Sequence, residues 1–146
     1  MSHYLVVGAG AIGSRVARQL SQQVHDVVVA SRAGRDVEGT TSVAADAGDL
    51  DVMRRLAQGT SAIFNCANPA YHRWPRDWPP IANSLLAAAQ SSGATLVTLS
   101  NLYAYGPVDE PMTPDTPLLA DYAKAHVRAR MWTDALAAHQ AGRVQA

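Results

Sequence analysis

Three glycines close to the N-terminus, Gly8, Gly10 and Gly13, stand in the stretch L-V-V-G-A-G-A-I-G that runs from Leu5 to Gly13. The apolar run Tyr4 to Val7 ends abruptly at the first of them, and the residues that follow have helical periodicity. That is strand, tight turn, helix. Each glycine has a chemical reason in a dinucleotide site: Gly8 permits the sharp turn, Gly10 has no side chain to hold a pyrophosphate off the backbone, and Gly13 lets the helix pack closely on the strand. The phosphates would lie on the free N–H groups of Ala11, Ile12 and Gly13, at the positive end of the helix dipole.

Further candidate groups fall at the carboxyl ends of the later strands, the edge where open α/β sheets bind ligands. After the second strand an acidic residue would hold a ribose 2′-hydroxyl, whereas an arginine accommodates a 2′-phosphate. Ser31 and Arg32 stand there, a hydroxyl and a guanidinium suited to phosphate, so NADP is expected in preference to NAD. A solvated loop arginine is the plainer alternative. Asp46, with Ala47, follows the third strand and reads either as lining the adenine pocket or as a turn former. Cys66, Ala67 and Asn68 follow the fourth, small enough to bring backbone up to the nicotinamide ribose. Cys66 is the only cysteine, and in the apolar run I-F-N-C-A it reads as a small buried thiol rather than a nucleophile. The five histidines have no ligand-like spacing, so no metal site is expected.

The elements that must position these groups alternate along the chain. The first helix is expected over Ala11 to Gln22, with Ile12, Val16 and Leu20 as its apolar stripe. The second strand covers Asp26 to Ala30, continuous and with β-branched valines at 27–29, as a strand buried on both faces should be. A third strand follows near Ser42 to Ala45, then a helix from Leu50 to Ala57 with Asp49 as N-cap and Gly59 past its end. The fourth strand is Ala62 to Asn65. The segment from Tyr71 to Trp78 is aromatic, charged and interrupted by proline, and reads as a loop that forms either a ligand wall or a cover over the sheet. Pro79 and Pro80 then open a helix through Gln90, with Gly93 beyond it. Thr95 to Leu99 is the fifth strand, followed by a long proline-rich loop. The last helix, about Ala120 to His139, places Ala123, Val127, Met131, Ala135 and Ala138 on one face, flanked by Lys124, Arg128 and Arg130. Val144 to Ala146 looks like the start of a sixth strand. The pattern predicts an α/β protein with a doubly wound parallel sheet, a Rossmann fold of strand order 3-2-1-4-5.

Composition bounds the function. The chain has 146 residues, 48% of them hydrophobic, enough for one domain with a sizeable core. Twelve basic side chains balance twelve acidic ones, so no net field favours nucleic acid or an anionic membrane as partner. No apolar run approaches the roughly 20 residues of a membrane helix, and no signal-peptide pattern opens the chain. A single cysteine fits a reducing compartment, and the expected location is the cytoplasm.

With these elements in order, the chain resembles the short-chain dehydrogenase/reductase superfamily, in its extended and atypical branch of epimerase/dehydratase-like proteins. The resemblance rests on the glycine turn, Asp46-Ala47, Tyr105-Gly106, and the P-M-T-P-D-T-P-L loop from Pro111 to Leu118. It implies an NAD(P)-binding domain over residues 1–146, without the carboxyl-terminal region that supplies most substrate contacts in the family. It also implies a small-molecule carbonyl or hydroxyl substrate and a homodimer built through helices.

Where the family has a catalytic serine or threonine this chain has Asn101. Where the family has Tyr-x-x-x-Lys, Tyr122 is followed four residues later by His126, and Lys124 stands two residues on. Within a helix Tyr122 and Lys124 would point about 200° apart, whereas Tyr122 and His126 would share a face. Either the site is modified, or Tyr103 or Tyr105 serves as the acid/base, or no proton is transferred. Three functions therefore stand side by side: an NADP-dependent oxidoreductase or epimerase, a non-catalytic NADP sensor, and an inactive fragment.

Overall fold

The computed structural model describes residues 1–146. Along the chain run β1 (His3–Val7), α1 (Ala11–Gln22), β2 (Asp26–Ser31), β3 (Thr41–Ala44), α2 (Leu50–Leu56), β4 (Ala62–Asn65), α3 (Trp74–Ser92), β5 (Thr95–Thr98) and α4 (Ala123–Gln140). The sheet is parallel in the order β3-β2-β1-β4-β5, the doubly wound arrangement that the alternation of elements predicts. Gln145 makes one parallel bridge to Thr95, and the Leu96 N–H donates to its carbonyl at 2.8 Å, so a sixth position in the sheet is begun.

β1 is central because it can be buried on both faces. Leu5, Val6 and Val7 are inaccessible to solvent, and their side chains alternate between two cores. On one face Leu5, Val7 and Ile63 pack against Met53 of α2 and Leu85, Ala88 and Ala89 of α3. On the other, Val6, Val27 and Val29 pack against Ala17 of α1. Asp49 caps α2 as expected, its Oδ1 accepting the N–H groups of Asp51 and Val52 at 3.1 Å each.

The prolines mislead in one place. α3 begins at Trp74, not at Pro79, and a 3-10 turn at Tyr71–Arg73 leads into it. Pro75 lies in the first turn, where its missing N–H costs nothing, but Pro79 and Pro80 sit inside the helix and leave the carbonyls of Pro75 and Arg76 without their usual donors. Each interior proline costs up to about 3 kcal/mol. Trp74 and Trp78 are buried, at 5% and 1% exposure. Two indoles, each removing roughly 150–250 Å² from water at about 25 cal/mol/Å², outweigh that cost. The tryptophan segment is thus a helix start held by its buried indoles.

α4 also departs from expectation. It starts at Ala123, and its buried residues are Ala125, Arg128 and Ala138, while Ala123 is exposed. The helix is rotated so that Arg128 turns inward. Its Nη2 donates to the Leu99 carbonyl at 3.0 Å and to Ser100 Oγ at 3.2 Å, and its guanidinium lies 4.8 Å from the Trp78 ring centroid.

The tightest joint in the fold is glycine on glycine. A Cβ on Gly13 would overlap the carbonyl oxygen of Gly8, and one on Gly8 (φ +107°) would stand 2.6 Å from the Cys66 carbonyl oxygen. Gly10 differs: nothing lies within 4 Å of its missing Cβ. Gly13→Ala is expected to lower the unfolding free energy by about 2–3 kcal/mol. Gly10→Ala should change it by less than about 0.5 kcal/mol. Urea denaturation followed by circular dichroism separates the two.

Candidate functional site

The carboxyl ends of β1, β2, β3 and β4 open on one cleft of about 580 Å³, within the usual range of small-molecule sites. Its floor is the glycine turn. Gly8 donates its N–H to the Ala30 carbonyl at 2.8 Å, which holds the turn against β2. Gly10 is the N-cap of α1, with no side-chain cap, and the N–H groups of Ala11, Ile12 and Gly13 have no acceptor in the chain. The open space at Gly10 faces this cleft. Nothing in the protein's own packing demands glycine there, and a Cβ would fill the space a ligand backbone would use. Open donors, no acidic side chain in the first turn and the positive dipole end together suit an anion. The residues present therefore fit a dinucleotide pyrophosphate.

Ser31, Arg32, Asp46, Ala47, Cys66, Ala67 and Asn68 all line this cleft. Two of them are already engaged. Ser31 Oγ accepts the Arg35 N–H at 3.0 Å, leaving its own hydroxyl proton free to donate. Asp46 Oδ1 accepts the Gly48 N–H at 2.8 Å, so the turn reading and the cleft reading of this residue both hold. Burial pushes the Cys66 thiol above its ordinary pKa, because a thiolate is poorly solvated there.

The strand-end reading does not single out Arg35, Arg73 or Asp77, three charged residues that line the cleft. Arg35 reaches back across the glycine turn, with Nη1 3.4 Å from the Ala9 carbonyl. Arg73, Asp77 and Pro80 form the opposite wall. They come from the start of α3, which looks like a loop in sequence. Arg73 Nε pairs with Asp77 Oδ2 at 2.8 Å, and Arg76 pairs with the same carboxylate, holding it below the usual carboxylate range.

The candidate acid/base residues stand apart from this cleft. Tyr122 is not inside a helix: it is the extended N-cap of α4 (φ −153°, ψ 153°) and 45% exposed. Its carbonyl accepts the His126 N–H at 3.0 Å, while the His126 ring lies 3.4 Å from the Asp121 carboxylate. The helical alignment of Tyr122 with His126 therefore does not occur. Lys124 turns the other way and places Nζ 3.5 Å above the Tyr71 ring, a cation–π contact. Tyr71 in turn packs edge-on to Tyr103 at 6.2 Å and to Trp74 at 5.0 Å. Asn101 Oδ1 accepts the Tyr103 N–H at 3.2 Å and so shapes the loop after β5. The structure brings Tyr103 and Lys124 each against the Tyr71 ring, and no such contact includes Tyr122. No three His, Cys, Asp or Glu side chains converge as a metal site, and no helix is long and apolar enough to cross a membrane.

The likeness to known proteins follows the sheet and the turn. No curated protein sequence matches the chain. Among solved structures, MoeE5 in complex with UDP-glucose and NAD superposes with a TM-score of 0.82 at 22% identity, covering 98% of this chain and 51% of that one. A UDP-galactose 4-epimerase gives 0.81 at 19% identity, with 94% and 52% covered. Uronate dehydrogenase from Agrobacterium tumefaciens gives 0.82 at 20% identity, with 96% and 56% covered. The chain spans about half the length of these structures, and at such identities the likeness is one of fold. A family model described as the NAD dependent epimerase/dehydratase family matches residues 4–144. The match takes in the glycine turn and all five strands, and the chain belongs to that family.

Proposed function

We propose that residues 1–146 form a nicotinamide-dinucleotide-binding domain that prefers NADP to NAD and serves an oxidoreductase or epimerase of small carbonyl or hydroxyl compounds. The observation that carries this is the turn at Gly10: uncapped amides of α1 face a space that the protein itself leaves free. MoeE5, whose structure contains NAD, shares the fold, and this supports a dinucleotide. Arg32 and Arg35 support the 2′-phosphate, since both line the cleft at the end of β2 with no carboxylate partner.

The bound nicotinamide would supply a site that accepts and donates hydride. The chain's part is to bind and orient. The amides of Ala11, Ile12 and Gly13 take the pyrophosphate, Asp46 bounds the adenine side, and Ala67 and Asn68 bound the ribose next to the reactive ring. Proton transfer falls to the loop after β5, where Tyr103 stands beside Tyr71 and its overlying lysine. Exposed Tyr122, paired with neither Lys124 nor the His126 ring, favours a second reading, a sensor that holds NADP without turnover.

Calorimetric titration with NADPH and NADH tests the binding claim. NADPH should bind at least tenfold more tightly than NADH, and Arg32→Ala should remove that margin, as loss of a charge-assisted contact of about 1.5–3 kcal/mol implies. Gly10→Ala should weaken both cofactors without loss of fold. Binding of neither cofactor to the folded chain would sink the proposal.

Turnover of a carbonyl panel with NADPH, lost in Tyr103→Phe but retained in Tyr122→Phe, would distinguish the enzyme from the sensor. Cofactor binding without any turnover would favour the sensor.

Cys66 reports on the same cleft. Its raised pKa means that alkylation by iodoacetamide should be slow at neutral pH and accelerate as pH passes the ordinary cysteine range, because the thiolate is the nucleophile. Saturating NADPH should slow it further. Rapid reaction at neutral pH, or no protection, would contradict the placement.

A further inference from the structure

Arg73 is the basic side chain of the cleft wall that α3 supplies. It belongs to a row, Arg73, Asp77, Pro80 and Ser84, whose spacing of four, three and four residues places them on one face of the helix. The row is pinned at both ends. Ser84 Oγ donates to the Ala47 carbonyl, and Pro80 Cβ lies 3.5 Å from where a Cβ on Gly48 would stand, so the far end rests on the loop after β3. At the near end Trp74 Nε1 donates to the Pro69 carbonyl at 3.0 Å and the Arg73 N–H to the Ala70 carbonyl at 2.8 Å, which sets Arg73 on the loop after β4. β4 is the sheet neighbour of β1, whose carboxyl end carries the glycine turn.

The guanidinium is aimed by its own helix. Its Nε meets Asp77 Oδ2 at 2.8 Å and its Nη2 meets Oδ1 at 3.4 Å, a side-on pairing that leaves Nη1 without an acceptor in the chain. Arg76 Nε donates to the same carboxylate at 2.8 Å. Two guanidiniums on one carboxylate leave this wall with net positive charge. The floor of the cleft is short of it. A helix N-terminus amounts to roughly half an elementary charge, and no charged side chain stands between Gly8 and Gly13, whereas a dinucleotide pyrophosphate carries two negative charges.

We propose that Arg73 is a second pyrophosphate ligand: with the cofactor on the α1 amides, its guanidinium, held side-on by Asp77, takes the phosphate nearer the nicotinamide. The assignment rests on the dinucleotide reading of the cleft. Under that reading Arg32 and Arg35 are taken by the 2′-phosphate, and Arg73 is the remaining cation of the cleft. A guanidinium suits the task because its N–H fork matches two phosphate oxygens and it keeps its charge at any working pH. The choice of phosphate follows from position, since Arg73 stands at the β4 end of the row and the adenine side lies at the β3 end.

Calorimetry on the whole chain with NADPH, NADH, ADP and AMP tests the idea. The Arg73 side chain is 46% exposed, so Arg73→Gln should keep the fold. It should weaken NADPH and NADH by the same factor, at least tenfold, as loss of one charge-assisted contact implies. Arg32→Ala, in contrast, should act on NADPH alone. ADP should follow the dinucleotides, while AMP, which lacks the second phosphate, should lose less than about twofold. Arg73→Lys, which keeps the charge without the fork, should fall between the wild type and Arg73→Gln. Undiminished binding of NADH and ADP in Arg73→Gln would overturn the proposal and leave the cofactor reading intact. Equal losses for ADP and AMP would overturn it too, because they mark a deformed cleft rather than a missing contact. Binding of neither dinucleotide to the wild-type chain would instead overturn the cofactor reading, and the proposal with it.

Discussion

The contact on which the structure depends is backbone against backbone at Gly8, Gly13 and Cys66. Three elements meet there without side chains between them: the end of β1, the first turn of α1 and the end of β4. Close approach brings the amides of α1 to the carboxyl edge of the sheet, and the positive φ of Gly8 aims them across it. A methyl group at Gly13 would push the helix outward, and the donors with it. Fold and binding surface therefore share one steric condition, while Gly10, a few ångströms along the same turn, is free of it. The separate reasons that the motif assigns to the three glycines are thus steric facts of the fold.

How much of this was legible in the sequence follows from the range of the forces involved. The glycine turn, the cap at Asp49 and the alternation of strands and helices rest on local spacing and on apolar runs, so they are readable from the chain alone, and the sheet order follows from the doubly wound rule. The start of α3 is not. Pro75, Pro79 and Pro80 carry a strong local signal to break a helix, and it is overridden by burial of Trp74 and Trp78 against partners distant in sequence. The ligand-wall reading of the segment nevertheless holds for Arg73 and Asp77, which line the cleft while the indoles pack inward. Arg128 shows a related failure: an arginine reads as surface, and only the Leu99 carbonyl and the indoles of α3 explain why it is inside. Tyr122 and His126 have helical spacing, yet the helix begins one residue too late for them to use it.

The site consequently divides into two kinds of region. The dinucleotide cleft is built on strand ends and a helix cap, all held by the central sheet, and its geometry follows from elements that fold for their own reasons. The groups that would move protons lie on the loop after β5 and at the mouth of α4, held by aromatic edges and one lysine. Under the proposed function, the cofactor would thus rest on the part of the molecule held by the sheet, and the proton-handling groups on segments whose positions depend on side-chain packing.

The two prolines inside α3 have a mechanical side. With no amide at Pro79 and Pro80, the first turns of that helix are joined to the rest by fewer backbone hydrogen bonds than any other stretch of it. Arg73 and Asp77 stand on the near side of this weak joint, while Ser84, which anchors the helix to the Ala47 carbonyl, stands on the far side. Burial of Trp74 and Trp78, rather than the helix ladder, therefore holds this wall of the cleft in place. One side of the cleft is set by side-chain packing and the other by the backbone of the sheet.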